Sequence, residues 1–174
     1  MVTSLERFRL NKDKFFAEDE NSPLTPVQLD RFEHLDYFPE NEALRFRLSL
    51  DRDAVSHDHL MLDTTNGPQQ RFIPAGKIHF EVEGETVSLT LFREHGRGRY
   101  FLPFRDATSG KTTYQVGRYL DPQETPDGLI TVDFNFAYNP YCAYNDDWTC
   151  PFPPVENELD VPIAAGEKVF SLHE

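Results

Sequence analysis

The spacing of apolar residues changes twice along this chain, and each change predicts a different kind of element. Near the start, Leu5, Phe8, Phe15 and Phe16 return at roughly helical intervals. Thr3 stands three residues before Glu6, the pattern of a capping box, so a first helix begins there and runs through Ala17. Beyond the turn-rich Asn21-Ser22-Pro23, the pair Thr25-Pro26 supplies a second N-cap with proline at the first helical position. It leads into Val27, Leu29 and Phe32 and predicts a short helix. From Ala43 the period falls to two. Leu44, Phe46, Leu48 and Leu50 alternate with Arg45, Arg47, Ser49 and Asp51, which gives a strand with one apolar and one wet face.

Strand patterns continue to Phe136. Ile78, Phe80 and Val82 alternate, Glu83-Gly84-Glu85 turns the chain, and Val87, Leu89 and Leu91 return it, a predicted hairpin. The basic run His95-Gly96-Arg97-Gly98-Arg99 turns into Tyr100 to Phe104, Ser109-Gly110-Lys111 into Thr112 to Tyr119, and Pro126-Asp127-Gly128 into Leu129 to Phe136. Consecutive antiparallel strands with one apolar face close on themselves to remove their edges. The expected fold is therefore mainly β: a single-domain antiparallel barrel or roll over residues 1–174, with helices in 1–40, strands in 43–136 and a Pro-rich covering segment in 137–174. A split-barrel-like α+β arrangement is the alternative, although no Gly-rich phosphate cradle accompanies it. Pro140, Pro151, Pro153, Pro154 and Pro162 forbid a central strand or helix through most of the last segment.

Composition narrows the function classes. The 174 residues contain 30 acids against 17 bases, a formal charge of −13 whose field repels nucleic acid and anionic lipid. Five of the cations are Lys and the acids divide equally between Asp and Glu, which suits a salty cytoplasm, while negative charge also serves solubility in any organism. No window approaches a membrane span and the start lacks an uninterrupted apolar run, so the expected setting is cytoplasmic, with no membrane or nucleic-acid partner.

Residues 133–157, DFNFAYNPYCAYNDDWTCPFPPVEN, concentrate seven aromatics, two cysteines and four prolines among Asn, Asp and Glu. Neither a core nor a solvated loop ordinarily has this mixture. If Ile130, Val132, Phe134 and Phe136 face the core, Thr131, Asp133, Asn135 and Ala137 share the other face. That face is either solvated or covered by the Pro-rich tail, with Arg105 and Arg118 as the cations available to Asp133. A hairpin would bring Phe104-Arg105-Asp106 beside Gly117-Arg118-Tyr119, where an arginine can orient a carboxylate for ligand contact or form a structural salt bridge. Tyr138-Asn139-Pro140 and Tyr141-Cys142-Ala143-Tyr144 combine rings with amides, either as walls of a small-molecule site or as a clamp on the tail.

Seven residues separate Cys142 from Cys150, which matches neither a zinc knuckle nor a CxxC pair. The window has no His, and His57 and His59 lie far upstream, so no metal site is expected. In a reducing cytosol the two cysteines are expected as thiols. Glu156 and Asp106 are the candidates for a catalytic carboxylate, with Asn157 beside the former.

Two blocks, PFRDATSGKTTYQVGRYLD and DFNFAYNPYCAYNDDWTCPFPPVENELDVPIAAGEK, resemble in order and separation the bacterial and archaeal family known as domain of unknown function 1684. Ser22-Pro23-Leu24 and the Phe38-Pro39 step fit as well. The resemblance implies a signature at Arg105, Asp106, Arg118, Tyr119, Asp133, Asn135, Tyr138, Asn139, Cys142, Tyr144, Cys150, Glu156 and Asn157, and implies no activity. The resulting expectation is a small polar or anionic ligand held between blocks 103–119 and 133–157 by these residues other than Cys150, with the cofactor unknown. Two rivals stand beside it: a signature that only locks tail to barrel in a structural or protein-interaction module, and a hydrolase-like enzyme using a carboxylate.

Overall fold

Thr3 Oγ1 accepts the Glu6 N–H at 3.1 Å and the Glu6 carboxylate accepts the Thr3 N–H at 2.7 Å, so the capping box closes and starts helix α1, Ser4–Glu18. Thr25 and Gln28 form a second reciprocal box around Pro26 and start α2, Pro26–Leu29. The computed structural model describes residues 1–94 and 98–173; the first three residues of the basic run, 95–97, on which its predicted turn falls, lie outside the described residues.

Eight strands follow among the described residues: β1 Arg45–Leu48, β2 Leu60–Leu62, β3 Gln70–Val82, β4 Glu85–Glu94, β5 Tyr100–Phe104, β6 Arg118–Leu120, β7 Gln123–Glu124 and β8 Ile130–Asp133. They form a five-stranded antiparallel meander, β2-β3-β4-β5-β6, and a three-stranded sheet, β1-β8-β7. Backbone bridges join the two. Asp51 exchanges hydrogen bonds of 2.8 and 2.9 Å with Lys77 of β3, and Tyr119 of β6 does so with Tyr138 beyond β8. The result is a mainly β fold with one curled half-barrel, as the alternating pattern predicts. Its core holds Ile78, Leu89, Leu91, Leu102, Phe104, Ile130, Val132 and Phe134.

The β3–β4 hairpin turns on two residues, Glu83 and Gly84, with φ of 51° and 82°. Positive φ at both positions matches the right-handed twist of the strands, and glycine at the second adopts it without steric penalty.

Two strand predictions need correction. Residues 112–117 are not a strand: the Asp106 carboxylate accepts the Thr108 N–H at 2.8 Å and its hydroxyl at 2.6 Å, and the Thr113 N–H returns to the Thr108 carbonyl at 3.2 Å. These local bonds take the backbone groups that a ladder would need. β8 likewise stops at Asp133, whose side chain accepts the Asn135 N–H at 3.0 Å and starts a 3-10 turn, Phe134–Phe136. The turn breaks the period of two and swings Asn135 fully inward. The chain before β1, rather than the Pro-rich tail, covers this face. Asn135 exchanges bonds of 2.8 and 3.0 Å with the backbone of Asn41, and Arg45, rather than Arg105 or Arg118, pairs with Asp133 at 2.8 Å.

The tail enters the fold at a defect in the meander. Extending the Phe92–Phe101 register brings Thr90 of β4 opposite Pro103 of β5, which has no N–H to offer. The buried Asn157 carboxamide fills that gap: its oxygen accepts the Thr90 N–H at 2.9 Å, and its nitrogen donates to the carbonyls of Thr90 at 2.9 Å and Pro103 at 2.8 Å. The tail then runs beside Arg105 and delivers Val161, Ile163 and Ala165 to the core.

Candidate functional site

Arg118 is 0% exposed and is held through its two terminal nitrogens, while its Nε makes no hydrogen bond among the described residues. Its Nη2 donates to Asp106 Oδ2 at 3.0 Å and to the Ile163 carbonyl at 2.8 Å, and its Nη1 donates to the carbonyls of Ala165 and Glu167. The other Asp106 oxygen accepts the Ile163 N–H at 3.1 Å along with Thr108. Burial pulls the Arg118 pKa down, and the facing Asp106 carboxylate opposes that pull. Both partners are thus occupied by their own chain. Gly117, at φ 117°, permits this approach, since a Cβ there would sit 2.6 Å from the Phe104 carbonyl and 2.9 Å from Pro153.

A second buried carboxylate secures the end of the tail. Glu167 accepts from Lys12 at 2.6 Å, from the Asn139 N–H at 3.2 Å and from the Tyr144 hydroxyl, while Asn139 also donates to the Lys168 carbonyl at 2.9 Å. The Lys12 ammonium lies 5.3 and 5.4 Å from the centres of the Tyr138 and Phe16 rings, which ties α1 to the same point. Burial, then the charge of Glu167, pushes the Tyr144 phenol up, so it remains a donor.

The predicted site residues therefore separate. Arg118, Asp106, Asn135, Asn139 and Asn157 are buried and make their contacts inside the fold, and none of them lines the clefts described below. Arg105 faces Glu158 at 3.3 Å, and Glu156 accepts the Thr90 hydroxyl at 3.0 Å; neither of them lines a cleft either. Tyr144 borders only a depression of about 180 Å³. Cys142 and Cys150 are buried free thiols packed with Tyr119. Asp133, Tyr119 and Tyr138 do reach open space.

That space is a pair of adjoining clefts, about 930 and 670 Å³, which share Asp121, Pro122, Gln123, Glu124 and Tyr138. A row of rings borders the larger: Phe72 on Phe101 at 5.3 Å, Phe101 on Tyr119 at 4.7 Å, Tyr119 on Tyr138 at 6.0 Å. Its charged groups are ones that sequence reasoning missed. Arg93 lies 4.2 Å from the centre of the Tyr100 ring, Arg99 bears on Asp121, and Glu124 accepts the Tyr100 hydroxyl at 3.0 Å. Asp121 accepts the Tyr138 hydroxyl on both oxygens, at 3.1 and 2.9 Å. Burial raises the Asp121 carboxyl, against the lowering effects of Tyr138 and Arg99. The Tyr138 phenol is raised by burial and then by Asp121, so it stays a hydroxyl that donates. The available signal was the pair of arginines flanking the β4–β5 turn together with the acid that directly follows Arg118-Tyr119-Leu120.

Fold and clefts together define an antiparallel half-barrel with a tail bolted into its core and an aromatic, charged cleft outside that bolt. Residues 30–168 match the family described as Protein of unknown function (DUF1684), and the chain belongs to that family. It is similar to the solution NMR structure of an uncharacterized protein from Haloarcula marismortui, at 34% identity and TM-score 0.71, covering 98% of this chain and 94% of that one. No curated protein matches the chain. Among the described residues no helix is long and apolar enough to cross a membrane, and no group of three or more His, Cys, Asp or Glu could hold a metal ion.

Proposed function

We propose that the protein binds a small polar ligand carrying an anionic group in the larger cleft. Arg93 and Arg99 meet the anion, the Phe101–Tyr119 row contacts the body, and the Asp121–Tyr138 pair hydrogen-bonds a polar substituent. The observation that carries this reading is the convergence of two arginines and a burial-raised carboxyl on one ring-lined space of about 930 Å³. Mixed apolar walls with a few directed polar groups are the usual make-up of a small-molecule site. The arginines supply local attraction against a net charge of −13, so binding weakens as salt screens them.

Amide chemical shifts test the proposal. Titration with inorganic phosphate, citrate, benzoate and a nucleoside monophosphate is expected to move Tyr100, Phe101, Tyr119 and Asp121 for at least one of these anions. Arg99→Ala is expected to weaken that response by about tenfold, the loss of one charge-assisted contact. Shifts confined to residues around Arg105 and Glu156, or none at any of the four anions, would refute it.

A further inference from the structure

Cys142 and Cys150 are held against each other before any bond joins them. The Cys142 N–H donates to Cys150 Sγ at 3.3 Å, and the two side chains pack in one buried cluster with Tyr119. Each side is anchored separately. Cys142 sits in the 3-10 turn Tyr141–Ala143, and Cys150 is clamped to Thr65, whose hydroxyl accepts its N–H at 3.2 Å and whose N–H donates to its carbonyl at 3.0 Å. The intervening loop folds back on Asn145, which accepts the N–H of Asp147 at 3.0 Å and of Trp148 at 3.3 Å. Thiols fixed this way need little movement to reach bonding distance.

We propose that Cys142 and Cys150 form an oxidation site at which a small hydroperoxide converts the two thiols into an intramolecular disulfide. The proposal is independent of the ligand reading above.

The two sulfurs have different roles. The adjoining Cys142 thiol and the backbone N–H groups of Cys142 and Tyr141 favour the Cys150 thiolate, whereas Cys142 is held as a thiol by the neighbouring Cys150 and by burial. Cys150 attacks the peroxide oxygen and the O–O bond breaks. The alcohol or water leaves with the electron pair and a proton, and Cys150 becomes a sulfenic acid. Cys142 then attacks the Cys150 sulfur: the S–S bond forms, the S–O bond breaks, and water departs with the Cys142 proton. One hydroperoxide is reduced and two thiols are oxidised, a two-electron balance that an external dithiol reverses. The residues are 3% and 6% exposed, so the oxidant this site takes must be small. Because the thiols pack behind Tyr119 and Tyr138, the new bond fixes the back of the cleft wall.

Reduced full-length protein treated with hydrogen peroxide provides the test. The expected product is a monomer lighter by two hydrogens, with neither thiol alkylated after denaturation, a Cys142–Cys150 cross-linked peptide, and full reversal by dithiothreitol. Cys142→Ser is expected to stop at a dimedone-reactive Cys150, and Cys150→Ser to react at least about tenfold more slowly. Two thiols still alkylatable, cross-links between chains, or oxidation ending in sulfinic acid would overturn the proposal. The wild-type result decides the matter if either variant fails to fold.

Discussion

Two regions of this molecule use the same chemistry to opposite ends. Around Arg118 a guanidinium, a carboxylate and a ring lie together, and around Arg99, Asp121 and Tyr138 they do so again. In the first, both terminal nitrogens of Arg118 and both oxygens of Asp106 meet partners within the protein, most of them from its tail, so the cluster is closed to a ligand. The second borders a cleft with room for further partners. An Arg–Asp–aromatic grouping thus says little by itself about function; what distinguishes the two is whether the chain has already used its hydrogen-bonding capacity.

Removing charge from the closed region is expected to have the largest effect. Arg118→Met leaves the Asp106 carboxylate buried without a countercharge and removes the guanidinium donor from three tail carbonyls, of which Ile163 alone keeps another, the Ala165 N–H, so stability to urea should fall by about 3–5 kcal/mol. Adding Asp106→Asn should recover part of that loss, since no lone charge then remains inside. A double variant less stable than the single would argue against a simple buried ion pair.

Asn157→Ala comes next. It strands the Thr90 N–H opposite a proline and removes three buried hydrogen bonds, for an expected loss of about 2–3 kcal/mol by the same assay. An unchanged midpoint would mean the tail does not complete the β4–β5 pairing.

Substitution in the open region should scarcely alter stability, and its effect should depend on pH. The Asp121 carboxyl is raised in the folded protein, so the folded state holds that proton more tightly than the unfolded chain. Its favourable contribution is present below the ordinary carboxylate range and is lost as pH rises through the raised value. Asp121→Asn should therefore gain on the wild type as pH rises above the ordinary carboxylate range, by less than about 1 kcal/mol since the group is partly solvated. A variant that instead loses ground over that rise would indicate a carboxylate stabilised by Arg99.

How legible all this was in the sequence follows from the range of the forces involved. Local chemistry read well: the Thr3–Glu6 capping box, the Thr25 N-cap, the Glu83-Gly84 hairpin and the alternation of β1 depend on residues a few positions apart. The alternation after Asp133 and the strand at 112–117 misled, because side-chain caps at Asp133 and Asp106 outcompeted the ladder. Arg118 could be paired with Asp106 from strand order, but its three carbonyl partners lie more than forty residues away, and nothing in the pattern announced that the tail would occupy it. Arg93, Arg99 and Asp121 went unnoticed because a strand end and a turn give charged residues no periodicity.

Amide hydrogen exchange at Ile163 tests the closed tail most directly. Its N–H donates to Asp106, which Arg118 holds in place, in a segment with almost no regular secondary structure. The prediction is exchange as slow as that of Leu89 and Leu91 in β4, through opening of the whole fold, with marked acceleration in Arg118→Met. Exchange at the rate of a surface loop in the wild-type protein would contradict it, and would return Arg118 and Asp106 to the pool of groups available to a ligand.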